Sequence, residues 1–230
     1  MNDSQTTSAL IAGASGLVGG HLLRRLLAHR SYARVEILVR RALPLTHARL
    51  IQRIVDFDRL DAGAVAVDTD TLFCCLGTTI KQAGSQEAFR RVDHDYPLTL
   101  ARLAKSAGAR QFLMVSALGA DARSSLFYSR VKGETERDIA ALGFPKSVFM
   151  RPSLLLGERP DRRPGEKVAA VLGRTLAPLL IGPLRKYRPI AGDEVAAAMI
   201  YAATHDLRSG PVESDEIVRL AQSTEVTATR

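Results

Sequence analysis

The chain has almost no cysteine. Its only two, Cys74 and Cys75, are neighbours inside the apolar run TLFCCLG. Adjacent residues on a strand point to opposite faces, so the pair makes a poor disulfide. Metal-ligand spacing is missing too: the histidines at 21, 29, 47, 94 and 205 form no HExxH or comparable pattern. Neither a structural disulfide nor a metal site is expected, and the histidines read as structural or surface residues. No apolar run approaches the roughly 20 residues that a membrane span needs. The opening MNDSQTTSAL lacks the basic start and apolar core of a signal peptide. No membrane partner is expected, and a cytoplasmic location follows by default. Internal repeats and low-complexity linkers are absent as well.

What is present is an ordinary globular composition, 46% hydrophobic and 24% charged over 230 residues. That length suits one substantial domain. The net charge is +8, and the excess is uneven: between Gly157 and Ile190, eight Lys or Arg stand against three acids. Such a run fits a solvated face or the rim of a site for phosphates or anionic substrates. Nucleic-acid binding is not expected, because no helix-turn-helix or RNA-binding motif accompanies the charge.

Apolar strand-like runs alternate with helix-like ones. SALIAG (8–13) reads as a strand, LVGGHLLRRLLAHR (17–30) as an amphipathic helix and ARVEILVR (33–40) as a second strand. A third strand falls within 48–57 and a fourth at 71–77. A long helix over 85–108 bends or restarts at Pro97. A fifth strand (110–119), a helix reaching about Leu142 and a sixth strand (146–157) follow. A helix over 192–206 has Asp193 as its expected N-cap. Strands rich in Val, Ile and Leu, separated by helices, predict an α/β fold: a doubly wound parallel sheet with helices on both faces. The whole of 1–230 then forms one domain, with a small C-terminal substrate lobe drawn mainly from 153–190 and 207–230.

The loop GASGLVGG joins the first strand to the first helix. Gly13, Gly16 and Gly19 are spaced GxxGxxG. One glycine permits the tight turn, one lets backbone approach a pyrophosphate, and the third lets the helix pack against the sheet. The anion would sit on free N–H groups at the helix start, with Ser15, Leu17 and Val18 around it. The second strand ends Val39-Arg40-Arg41, and Glu36, the only nearby acid, lies too early to reach a ribose. Basic residues at that point favour NADP(H) over NAD(H). Asp56 and Phe57, closing the third strand, would border the adenine.

Ser116 ends the fifth strand, and Tyr128 and Lys132 follow on the next helix, four apart and so on one face. In a doubly wound sheet the carboxyl ends of the strands line the ligand crevice. A phenol there can pass a proton, a neighbouring ammonium favours its phenolate and can hold the nicotinamide ribose, and a serine can orient a substrate oxygen, so Tyr128 and Lys132 border the cofactor as well.

Together these features resemble the short-chain dehydrogenase/reductase superfamily, from about residue 8 to Asp206. The stretches FCCLGTT, VDHDYPL, FYSRVKGE and RPGE are similar to its atypical, Tat-interacting oxidoreductase-like branch. The resemblance implies a Rossmann-type fold, NADPH binding and a Ser116–Tyr128–Lys132 triad. It further implies that Leu76, Gly77 and Thr78, and Arg151, Pro152 and Ser153, line the cofactor. Many members add an asparagine on the helix before the serine strand, where this chain has Val92-Asp93-His94-Asp95. The short tail also disfavours the nucleotide sugars that related epimerases take. The expected function is an NADP(H)-dependent oxidoreductase acting on a small carbonyl or alcohol. The alternative is a non-enzymatic NADPH-binding regulator or interaction protein on the same fold. The helices at 85–108 and 125–142 offer surfaces for a homodimer.

Overall fold

The apolar runs become the strands of one sheet, and their alternating side chains serve two separate cores. The computed structural model describes residues 7–60, 68–157 and 182–228. Strands β1 (Thr7–Ala12), β2 (Tyr32–Val39), β3 (Leu50–Ile54), β4 (Thr71–Cys74), β5 (Gln111–Val115) and β6 (Lys146–Arg151) are joined in the sheet by β9 (Gly210–Glu213). The order is β3-β2-β1-β4-β5-β6-β9, with every pairing parallel. Two short strands, β7 (Leu155–Leu156) and β8 (Ile190–Ala191), pair apart from it.

Residues two apart on a strand share a face. Ile11, Ile37 and Phe73 therefore pack with Leu22 and Leu26 of α1 (Leu17–Ala28) and with Val195 and Met199 of α6 (Gly192–Thr204). On the other face Leu10, Leu72 and Phe112 meet Leu100 of α4 (Tyr96–Ser106) and Ile139 of α5 (Phe127–Ala140). Each such buried aliphatic side chain contributes about 1.5–3 kcal/mol. Cys74 and Cys75 are free, and burial pushes the Cys74 thiol up to about 12.

The expected long helix over 85–108 is divided. A single-turn α2 (Ile80–Ala83) precedes α3 (Gln86–Arg90), and a π turn over Arg91–Asp95 separates α3 from α4. Its cause lies close by. Pro97 has no N–H to give the carbonyl of Asp93 four residues earlier, so the ladder must open there. That carbonyl instead receives the Thr135 hydroxyl of α5 at 3.0 Å.

The chain's end also departs from expectation. Of the segments assigned to a substrate lobe, 158–181 lies outside the described residues, and with it the RPGE stretch and most of the basic run. Within 207–230, by contrast, β9 extends the main sheet and α7 (Ser214–Ala228) packs against α6. A four-residue strand holding Gly210 and Pro211 carries little strand pattern, and an edge position tolerates it. Asp193 is not the N-cap of α6. It lies in the first turn and binds Arg25 of α1 at 2.7 and 2.5 Å, while Glu194 accepts the N–H of Ala191.

Candidate functional site

The strand order reverses between β1 and β4, and there the carboxyl ends of the strands open a crevice. Gly13 turns the chain out of β1 with φ +89°, and a Cβ on it would lie 2.5 Å from the carbonyl oxygen of Cys75. A Cβ on Gly19 would collide with the carbonyl of Gly13, so this glycine lets α1 start against the loop. Gly16 caps α1 with no side-chain hydrogen bond, and the first turn holds no acid. The helix start therefore offers bare N–H donors and positive dipole to an anion. A dinucleotide's pyrophosphate fits this cradle.

Two cavities meet there. The larger, about 990 Å³, runs from Gly13, Ser15, Gly16 and Leu17 past Arg40 at the end of β2 to Asp56, Phe57 and Asp58. The Phe57 ring packs on Tyr96 with centroids 5.7 Å apart, and the Tyr96 hydroxyl donates to Asp58 at 2.5 Å. Burial first, then that hydrogen bond, pushes the Tyr96 phenol up to about 12. The smaller cavity, about 530 Å³, holds Val18, Asp93, Ser116, Ala117, Leu118, Tyr128, Lys132, Pro152 and Ser153. Leu76, Gly77 and Thr78 border both cavities, making one continuous groove.

Most residues named from the sequence thus stand around one groove, but three do not. Gly19 is buried beneath the loop as a packing residue. Arg41 is exposed and lies outside the cavity wall, whereas Arg40 is part of it. Arg151 was expected beside the cofactor, but its guanidinium turns into the protein. It forms a forked contact with Glu136, at 2.6 Å to Oε2 and 3.1 Å to Oε1, and reaches Glu213 at 3.1 Å. Paired carboxylates on α5 and β9 hold it there. Glu36 is buried in β2 and bound to Arg53 of β3, so it is committed within the sheet.

The chemical centre is compact. Tyr128 is 38% exposed and leans on Phe89 with ring centroids 5.5 Å apart. Lys132, one turn further along α5, is 4% exposed. Its Nζ lies 2.7 Å from Asp93 Oδ1, which has no other partner among the described residues. Burial opposes the ammonium, but Asp93, then Tyr128, outweighs it and holds Lys132 above the ordinary lysine range. Ser116 is buried, and its hydroxyl donates to Glu136 of α5. The residue at this centre that sequence reasoning did not assign to the site is Asp93. The missing asparagine was visible in VDHDYPL, but the side chain's aim depends on the π turn.

The sequence matches the family described as NAD(P)H-binding over residues 13–155. It is 38% identical over 221 residues to "Protein FMP52, mitochondrial" of Eremothecium gossypii, covering 94% of this chain and 97% of that one. With protein HTATIP2 of Rattus norvegicus it shares 41% identity over 169 residues, 72% of this chain and 69% of the relative. Among solved structures, it resembles a UDP-N-acetylglucosamine 4-epimerase from Methanobrevibacter ruminantium M1 with a TM-score of 0.68. Identity there is 16%, over 98% of this chain and 83% of the other. MoeE5 in complex with UDP-glucose and NAD gives a TM-score of 0.66 and 18% identity, over 96% and 82%. At such identities these two structures speak for the fold alone. The relatives also correct the cytoplasmic expectation: FMP52 proteins of 32–38% identity are named mitochondrial. With this match across most of its length, the chain belongs to the NAD(P)H-binding, atypical short-chain dehydrogenase/reductase family that includes HTATIP2 and FMP52.

Proposed function

We propose that the chain is an NADP(H)-dependent oxidoreductase that interconverts a small carbonyl and its alcohol. The observation that carries this reading is the single groove that joins the bare start of α1 to Tyr128 and Lys132. Residues 13–18 would hold the pyrophosphate, and Asp56, Phe57 and Tyr96 the adenosine end. Arg40 stands in the cavity wall at the end of β2, and Glu36 is bound to Arg53, which favours a 2′-phosphate there over a bare ribose.

When bound, the cofactor supplies or accepts the hydride. Tyr128 gives a proton to the substrate oxygen in reduction and removes one in oxidation. The ammonium of Lys132, on the same helical face, makes the phenolate less costly to form. Leu118 and Pro152 give the substrate end an apolar wall and Ser153 a hydroxyl-bearing one. In this reading Ser116 orients the substrate oxygen only when its hydroxyl leaves Glu136. That engagement favours, as the second reading, a protein that binds NADPH and transfers no hydride.

The experiment is a thermal-shift comparison followed by turnover. NADPH is expected to raise the melting temperature more than NADH at equal concentration. No shift with either cofactor sinks both readings. NADPH oxidation is then measured across a panel of small aldehydes and ketones. Tyr128→Phe should bind NADPH nearly as well and lose turnover by 100-fold or more, about the contribution of one acid–base group. Binding without oxidation of any carbonyl in the panel would select the regulator.

A further inference from the structure

We propose that Asp93 is a positioning residue that keeps Lys132 charged, aims it into the groove and ties it to the cofactor-bordering residues 76–78. The proposal rests on the cofactor reading above and deepens it.

The Asp93 side chain is 0% exposed, and its two oxygens are divided between Lys132 and the backbone of Thr78. Oδ1 faces Lys132 Nζ at 2.7 Å, and Oδ2 accepts the backbone N–H of Thr78 at 2.8 Å. Gly77 covers the pair: a Cβ there would sit 3.5 Å from Asp93 Oδ1 and 3.8 Å from Lys132 Nζ. A lone ammonium this deeply buried would shed its proton rather than stay charged. The Asp93 charge prevents that, and the same carboxylate fixes where residues 76–78 run.

The fold delivers this carboxylate on purpose-built backbone. Pro97 opens the helix at Arg91–Asp95, and Thr135 closes the freed carbonyl of Asp93. Thr135 lies one turn beyond Lys132 on α5. Asp93 is thus gripped by the helix that carries the lysine. The groups acting on the Lys132 ammonium are Asp93 from the π turn, Tyr128 from its own helix and Cys74 from β4. Of these, only Asp93 stands within ion-pair distance.

The test follows the ¹⁵Nζ signal of Lys132 in cofactor-free protein, assigned with Lys132→Arg. In the unaltered chain the lysine should stay charged through about pH 10, near the ordinary lysine midpoint. Discharge below about pH 9 would overturn the proposal. In Asp93→Asn the amide oxygen can still accept from Thr78, but the compensating charge is gone. The lysine midpoint should then fall by about two units or more, as for buried lysines without a partner. A folded Asp93→Asn with an unmoved midpoint overturns the proposal.

NADPH affinity supplies the second readout. The unaltered protein should bind equally at pH 7 and pH 9.5, whereas Asp93→Asn should weaken about tenfold more at the higher pH. Loss by the same factor at both values, with the lysine still charged at both, marks a merely structural residue and overturns the positioning role. If neither protein binds NADPH, the cofactor reading fails, and the lysine titration still decides the role of Asp93. Should Asp93→Asn fail to fold, the paired change Asp93→Leu with Lys132→Met replaces two buried charges by apolar groups. That protein should fold and lose NADPH affinity at least tenfold; ordinary affinity in it overturns the proposal.

Discussion

Ser116 follows β5 directly, and its hydroxyl is engaged by Glu136. Its place at the end of β5 was readable from MVSALG, because strand ends line the crevice. Its partner was not. Glu136 lies 20 residues further along and Arg151 sits on another strand, and their mutual placement exists only in the folded sheet. The hydroxyl donates to a carboxylate that Arg151 already holds, so the serine is one member of a buried polar network. Removing it leaves Glu136 its guanidinium partner. Ser116→Ala should therefore lower turnover less than tenfold, against 100-fold or more for Tyr128→Phe. The stability loss should be about 1.5–3 kcal/mol, the range for a hydrogen bond to a charged group. Steady-state kinetics and urea unfolding on both variants check this. A 100-fold loss of kcat in Ser116→Ala at unchanged stability would place its hydroxyl on the substrate instead.

Elements with strong apolar periodicity were legible, and those shaped by one distant contact were not. Leu22, Leu23, Leu26 and Leu27 repeat at helical spacing, so α1 was readable from the sequence. Pro97 marked the break in the helix over 85–108, but the π turn requires Thr135 to receive the freed carbonyl. Asp193 looked like a cap because acids favour helix starts. Its observed role is to tie α6 to α1 through Arg25, with His21 also near at 3.4 Å. The hydrogen bonds from Arg25 hold the Asp193 carboxyl below the usual carboxylate range. A depressed folded value stabilises the protein above the unfolded value, and that stabilisation is lost as pH falls through the folded one. Arg25→Met should therefore be less stable than the unaltered chain at pH 7. The gap should begin to narrow below about pH 4 and close as Asp193 becomes protonated in the unaltered protein too. Thermal denaturation across that range reads the difference; a gap that stays constant to pH 2 would assign the loss to packing of the arginine stem.

At the scale of the whole molecule, alternating strands and helices were enough to reach the parallel, doubly wound sheet, and its reversal between β1 and β4 locates the groove. The seventh strand was hidden because Gly210 and Pro211 carry no strand preference. The molecule's charge acts on this groove as a field rather than a contact. The chain carries +8 overall, and Arg40 stands in the cavity wall while Arg41 is exposed and is not part of that wall. NADPH bears one phosphate more than NADH, so under the proposed reading it should gain more from both the field and Arg40. Arg40→Ala should weaken NADPH about tenfold, the loss of one charge-assisted contact, and change NADH by less than twofold. Arg41→Ala should move the NADPH constant by less than half as much on a free-energy scale, since only its distant charge is lost. Salt separates the two contributions, because screening cuts the long-range field and spares a direct contact. Raising ionic strength should therefore weaken NADPH more steeply than NADH in the unaltered protein, and a preference for NADPH should survive at high salt. If Arg40→Ala leaves the ratio of the two affinities unchanged, the 2′-phosphate is not held at the end of β2.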